Sequence, residues 1–469
     1  MFFKNKDFRD CTELLSEFVY GLKYEDIPVS AIECTKAVIL DWYSASFAGM
    51  KVNSAFNRAV HEVMLSGASG NASELCSPGG GLSETDAAFM NAVYAHGADM
   101  DDGNRLSMGH VAAHVISAVF AVAEQEVSQG KIFSGKDITV AVNAGYEIFN
   151  RVAAAVQPSL VKRGFHSTGT AGGIACAAAV AKLLGMDADG IYRAISLAAL
   201  QSSGLIIIAE SGQGCKPLNP ANAARIGILS ARLAMRGVAA PVNPLESEKG
   251  WFHAMGDTVN YDRITAGLGE VFTVTEGYLK PYPSCRHTHC PISLAISLRE
   301  RIIVEYGCVP IEKIRGITVF TYENAIRIAG QIAVPHSDED TKFSIAYGLA
   351  QGLFRGRFGL DELSLSALDG NVSEIINKIT FVPTPEMEQA ENGIRGARVE
   401  IAFSDGRVFD GTELIPKGDA ARPFTKKDME NKLYSCSDGI LSAEQRKRLT
   451  GWIAEFENCN FRSLNDFLN

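Results

Sequence analysis

No two of the ten cysteines in this sequence stand at Cys-x-x-Cys spacing. That removes the usual signature of a zinc ribbon or a cysteine-held iron–sulfur cluster. Scattered as they are, the cysteines read as small buried hydrophobes of a reducing compartment. Basic charge is also short: 44 Lys and Arg against 54 Asp and Glu leave a net charge of −10. An acidic surface speaks against nucleic acid or an anionic membrane as partner, although one cationic pocket within it could still take an anionic substrate. Long apolar runs are missing too. The stretch from Ala171 to Met186 is broken by Lys182 and is too short to cross a bilayer. The charged Met1-Phe2-Phe3-Lys4-Asn5-Lys6-Asp7 start has no apolar stretch behind it, so a cytoplasmic protein without a signal peptide is expected. A G-x-G-x-x-G fingerprint after a strand is absent, which removes the simplest dinucleotide reading.

What is present is helix after helix. Apolar residues recur at helical spacing over Ala31–Met50, Val111–Glu126, Ile138–Val156, Thr170–Leu184 and Asn222–Gly237. The Ala- and Gly-dense Ala171–Ala179 stretch predicts a central helix packed on all sides. Loops are expected at Ser77-Pro78-Gly79-Gly80-Gly81 and at Asn219-Pro220. After about Thr273 the pattern changes to short β-branched runs, Ile314–Tyr322, Ile379–Val382 and Ala397–Phe403, with a hairpin turned at Ser404-Asp405-Gly406. Helices are expected between them at Thr341–Phe354 and Val372–Lys378, and again in the tail at Thr425–Leu433 and Ser442–Phe456. In the last of these Ser442 and Gln445 fit a capping box. At 469 residues the chain is too long for one ordinary core. The expected fold is mostly α: a large discontinuous helical domain, residues 1–272 and 411–469, interrupted by a smaller α+β lid domain at 273–410.

Four polar segments stand out. In the first, Asp99, Asp101 and Asp102 crowd three carboxylates between His96 and the later His110 and His114. Burial there would raise at least one carboxyl, making an acid–base candidate, while a solvated acidic loop or an N-cap cluster is the plainer reading. In the second, His166 precedes an Ala-rich helix, where a helix N-terminus favours an anion and disfavours imidazolium. That makes His166 the expected base, with His110, behind the aspartate run, the expected acid. In the third, Lys216 sits among glycines and prolines, as a carboxylate ligand, a proton carrier or an ordinary loop lysine. The fourth, Lys280 to Cys290, gathers Lys280, Arg286, His287 and His289 on a proline-stiffened backbone. In an acidic protein such a cationic focus suits an anion; its Cys/His spacing fits no standard zinc pattern.

These segments, with Gly145-Tyr146-Glu147 and Arg151, Asp340 to Tyr347, and Pro416-Lys417-Gly418-Asp419, make a chain that resembles the MmgE/PrpD family nearly end to end. That group includes 2-methylcitrate dehydratase, cis-aconitate decarboxylase and iminodisuccinate epimerase. The resemblance implies a large helical domain with an α+β lid, a homodimer, and no metal or organic cofactor. It places catalytic roles on Asp99, His110, His166, Lys216 and Tyr322, and substrate binding on Lys280, Arg286, His289 and Tyr146. The chain departs from the family pattern at Gly103, where threonine is usual, at Val111, where proline is common, and at Cys285, where the decarboxylase has histidine. What these residues imply together is a cofactor-independent lyase, a dehydratase or decarboxylase, acting on a small polycarboxylate such as 2-methylcitrate or cis-aconitate. The alternatives are an epimerase of a dicarboxylate such as iminodisuccinate, or a non-catalytic polycarboxylate-binding protein.

Overall fold

A computed structural model describes residues 10–65, 70–75, 77–210, 214–389 and 394–461. The chain is mostly helical and divides into two compact units. The first takes in residues 1–97, 101–277 and 426–469, and the second residues 98–100 and 278–425. No helix among the described residues is long and apolar enough to cross a membrane.

The helical unit is built on helices that are apolar nearly all round. Val29–Lys51 buries almost every residue from Ala31 to Gly49, and Gly172–Leu183 is buried along nearly its whole length. A helix can be enclosed so completely only if its neighbours come very close, and small residues allow that. A Cβ on Gly227 of the Leu218–Met235 helix would lie 2.2 Å from the Cβ of Cys176 on Gly172–Leu183. One on Gly49 would lie 1.8 Å from the carbonyl oxygen of Tyr94, and Gly97 meets the Gly49 Cα at 3.1 Å measured the same way. The Glu84–Gly97 helix is thereby seated backbone to backbone on Val29–Lys51. Lys432, on the Lys426–Ser437 helix, closes the unit by pairing with the fully buried Asp41 at 2.5 Å.

Two expected loops turn out otherwise. Ser77–Leu82 forms a strand antiparallel to Ala72–Glu74, since a ladder needs only backbone groups and glycine supplies them. Asn219-Pro220 lies in the first turn of Leu218–Met235, where proline's missing N–H would have had no helical partner anyway. The helix expected over Thr341–Phe354 is divided: a short Asp338–Thr341 turn capped by Ser337, then Ile345–Arg355 capped by Ser344. The Ser442–Gln445 capping box forms as expected.

In the smaller unit a four-stranded sheet runs in the order Val408–Glu413, Ala397–Phe403, Ile314–Thr321, Ile379–Pro383. The first two pairings are antiparallel and the last is parallel. Alternation sets the buried face: Ala397, Val399, Ile401 and Phe403 point inward with Ile317 and Val319. The hairpin turns at Gly406, whose φ of +90° suits glycine. The His289–Tyr306 helix packs on this sheet and on Ile345–Arg355.

Candidate active site

In the helical unit the crowded aspartates are separated by their partners. Asp101 lies just past the Glu84–Gly97 helix and is fully buried. Its Oδ2 accepts from His96 Nδ1–H at 2.8 Å and stands 3.3 Å from His110 Nδ1. Burial alone would raise this carboxyl, but the two imidazoles outweigh it and hold it well below the usual carboxylate range. The two rings meet edge to face, 4.6 Å between centroids. Burial lowers His96 to about 4 against the pull of Asp101, with the Lys216 charge acting in the same direction as burial. His96 is therefore neutral near pH 7. Its Nε2 has no hydrogen-bond partner among the described residues.

Asp102 does something else. Its Oδ1 accepts from the backbone N–H of Val111 at 3.2 Å and Ala112 at 2.9 Å, capping the Ala112–Ser128 helix. Its Oδ2 accepts from the Tyr146 hydroxyl at 2.7 Å. Burial and then Asp102 push the Tyr146 phenol well up, so it stays a donor. The capping reading of the aspartate run is thus right for Asp102, and Tyr146 orients a carboxylate of the protein. Glu147 and Arg151, next on the same helix, form a buried 2.8 Å pair, and the guanidinium also binds the Ile264, Ala266 and Val271 carbonyls.

The two candidate histidines carry opposite hydrogen-bond arrangements. His110 Nδ1–H donates to the Asp102 carbonyl at 2.7 Å, which leaves the Nε2 lone pair as its reactive face. His166 Nδ1 accepts from the Asn219 side-chain amide at 2.9 Å; an amide nitrogen can only donate, so the His166 proton sits on Nε2. That is the reverse of the roles expected from the sequence. The helix following His166, Ser167–Thr170, is a single turn, so its dipole is too short to govern the ring. The His110 N–H donates to Thr168 Oγ1 at 3.1 Å, which ties the two histidine loops together. Gly109 and Gly169 make that approach possible: a Cβ would meet the Phe149 ring at 2.6 Å or the Ser203 carbonyl at 2.6 Å. His114, fully buried and lowered to about 3 by burial and then by His96, has neither ring nitrogen hydrogen-bonded among the described residues. Lys216 is 7% exposed in the turn before Leu218–Met235. His96, Asp101 and His110 each offer a ligand atom within 4.8 Å of the others, a metal-capable set that spacing in the sequence did not suggest.

In the smaller unit Lys280 is 1% exposed and its ammonium binds Asp99 twice, the carbonyl at 2.9 Å and the carboxylate at 3.2 Å. Asp99 reaches it from a left-handed backbone, φ +50°, uncommon for a non-glycine residue. Arg286, also buried, donates to the Pro416 and Lys417 carbonyls, lies 3.8 Å from Asp419, and stacks on the Tyr278 ring. His289 accepts from Arg286 at Nδ1 and donates from Nε2 to the Ser284 carbonyl. Both of its nitrogens are therefore engaged. Arg286 and His289 shape the Ser284–Thr288 loop around half-buried Cys285, whose N–H is held by the Lys342 carbonyl at 2.9 Å. Tyr322 hydrogen-bonds His287 Nδ1. Burial pushes the Tyr322 phenol far up and brings His287 down to about 3, with the Arg395 charge next in effect on each. The pair is a phenol donor on a neutral imidazole, so Tyr322 cannot readily serve as a base.

Sequence reasoning assigned no site role to Asp101, Asn219 or His287, although Asp101 stood within the noted aspartate run and His287 within the noted cationic segment; Asn219 and His287 act through contacts that spacing does not reveal.

The sequence model described as MmgE/PrpD N-terminal domain matches residues 13–263, and that described as MmgE/PrpD C-terminal domain matches residues 282–456. Among similar curated proteins, cis-aconitate decarboxylase of Aspergillus terreus is 28% identical over 93% of this chain and 90% of its own length. The cis-aconitate decarboxylase-like protein oryM of Aspergillus oryzae is 27% identical over 95% and 94%. Human cis-aconitate decarboxylase is 24% identical over 96% and 93%.

Proposed function

The chain belongs to the MmgE/PrpD family, and from that premise we propose that it is a lyase acting on a small di- or tricarboxylate such as cis-aconitate or 2-methylcitrate. The observation that carries the reading is the opposed protonation of two histidines in one unit: His110 presents a lone pair at Nε2, His166 a proton. A base and an acid are what such a reaction needs. In dehydration the base removes a proton from the carbon beside a carboxylate. The electron pair forms the alkene, and hydroxide leaves as water with the acid's proton. In decarboxylation the carbon–carboxylate bond breaks, carbon dioxide leaves, and the electron pair left on carbon is quenched by the acid alone. In the dehydration it is His110 that gains the proton, beside Asp101, which stabilises the imidazolium as it forms. Lys216, in the same unit, is the cation we assign to a substrate carboxylate there. The names of the relatives favour decarboxylation; the presence of a base as well as an acid keeps dehydration, and epimerisation of a dicarboxylate, as competing outcomes.

The test is incubation of the purified protein with cis-aconitate, 2-methylcitrate, citrate and iminodisuccinate, followed by proton NMR in deuterated water. Loss of carbon dioxide or appearance of an alkene supports a lyase. Deuterium wash-in with inversion and no elimination replaces it with an epimerase, and no change in any of the four removes the reading. Activity is expected to survive EDTA; collapse on chelation with recovery on adding a divalent metal would reassign His96, Asp101 and His110 as ligands.

A further inference from the structure

Within the helical unit, the Tyr24–Asp26 turn, the start of Gly135–Ala154 and the end of Gly172–Leu183 border a cleft of about 540 Å³. That is the size of a small-molecule site. Its floor is apolar: Leu22, Phe133, Val140 and Leu183 are all buried. Its rim carries three lysines, Lys23, Lys136 and Lys182, and no arginine. None of the three forms an ion pair among the described residues. Other lysines of the same unit do. Lys36 is paired with Glu33 at 3.1 Å and Glu457 at 2.7 Å, and Lys131 with Glu126 at 2.5 Å.

Two of the three rim lysines are held by neutral groups. Lys182 Nζ donates to the Tyr20 carbonyl at 2.7 Å, and Lys136 Nζ lies 4.8 Å from the centre of the Tyr24 ring. A carbonyl or a ring places an ammonium without cancelling its charge. The carboxylates on the rim are engaged or exposed: Asp137 accepts from the Ser134 N–H and hydroxyl, each at 2.7 Å, and Glu25 is exposed. Asp26 and Glu457 bear on Lys182 and Lys136 without lining the cleft; Asp26 accepts from the Lys23 N–H at 3.0 Å, and Glu457 is paired with Lys36. Burial lowers the Lys182 ammonium, Asp26 pulls it back up, and the Lys23 charge pushes it down again. Lys182 suits the last turn of its own helix. Lys136 does not suit its position: it stands in the first turn of a 20-residue helix, where the dipole disfavours a cation.

We propose that this cleft is a second ligand site, separate from the candidate active site, which takes an organic phosphate with a flat apolar body. The phosphate would lie among the three lysines at the start of Gly135–Ala154, and the apolar body on the floor. Lysine binds phosphate as a point charge, whereas a carboxylate is better matched by the planar fork of arginine, which the rim lacks. A helix N-terminus adds its own preference for phosphate. The cleft is also larger than a bare phosphate needs, and its apolar floor gives such an ion nothing to bind. The proposal uses none of the residues assigned to the lyase chemistry and stands whether or not that reading does.

The experiment titrates 1-naphthyl phosphate, uncharged 1-naphthol and benzene-1,3,5-tricarboxylate into wild type and the double variant Lys23→Met/Lys136→Met by isothermal calorimetry. Wild type is expected to bind 1-naphthyl phosphate at one site per chain and more weakly as salt is raised. The double variant should bind it about tenfold more weakly, as two solvent-facing charge pairs allow, with 1-naphthol changed less than about twofold. Both lysines are exposed, so the unliganded melting temperature should stay within a few degrees. The ligand should raise that temperature in wild type by more than in the variant. Absence of saturable binding, an affinity unchanged in the double variant, or an equal loss for 1-naphthol would each overturn the site. Binding of the tricarboxylate as tight as that of the phosphate, and equally dependent on the two lysines, would overturn the phosphate class.

Discussion

Asp101→Asn changes one charge and almost no volume, so its effect can be worked from distances. The carboxylate stands 3.3 Å from His110 Nδ1 and accepts from His96 at 2.8 Å. The His110 tautomer does not depend on it, because Nδ1–H is also held by the Asp102 carbonyl at 2.7 Å. What Asp101 adds is a countercharge for the imidazolium that exists after proton abstraction. At 3.3 Å and an effective dielectric of about 20, that attraction is about 5 kcal/mol. With about half the charge developed in the transition state, about 2.5 kcal/mol of barrier is at stake, close to a hundredfold in turnover. The assay is turnover of an acid from which the NMR screen shows a carbon-bound proton to be removed, with a thermal melt to show that the variant folds. A folded variant that turns over within threefold of wild type refutes the assignment of Asp101 and with it the role of His110 as base.

Three further outcomes are expected. Asn219→Asp replaces a donor to His166 Nδ1 with an acceptor and so moves the ring proton off Nε2; turnover should fall well below that of Asn219→Ala, and equal activities would show that the tautomer is immaterial. His114 is held neutral, its folded value about 3 against an ordinary 6.5, so the unfolded chain binds the proton first and stability is lost as pH falls from about 6.5 toward 3. His114→Leu should therefore flatten the pH dependence of denaturant-measured stability in that window by up to about 1.4 kcal/mol per pH unit, and an unchanged slope would contradict the burial argument. Lys432→Met strands Asp41 without its cation, an expected loss of about 3–5 kcal/mol at pH 7. Asp41 is raised to about 6 by burial even with Lys432 pulling it down, so without that cation it protonates at still higher pH and the loss should shrink as pH falls toward about 6; a pH-independent loss would point to packing instead.

The long helices are legible because burial on every side leaves a continuous apolar pattern, as over Ala171–Ala179, and the sheet because Ala397–Phe403 alternates strictly. Composition misleads where backbone geometry decides. Glycines at 79–81 read as a loop yet pair as a strand, and Pro220 reads as a break yet starts a helix. The histidines and lysines of the candidate site stand out as residue types in unusual company, but their chemical roles do not. Those depend on Asn219 reaching His166 across 53 positions and on the Asp102 carbonyl reaching His110 across eight.

The Gly49–Gly97 contact has a mechanical consequence. Side chains meeting across a helix interface can change rotamer and absorb a displacement, but two main chains in direct contact have nothing left to rearrange. His96, one residue before Gly97, is thus carried at a stiff joint, and the carboxylate it shares with His110 is anchored from that side. Any opening that admits water or a proton to this buried trio must come from the other side. That leaves the tight turn at Asn104–Gly109 and the Gly214–Asn219 turn as the compliant parts, and amide hydrogen exchange around the trio should be fastest there.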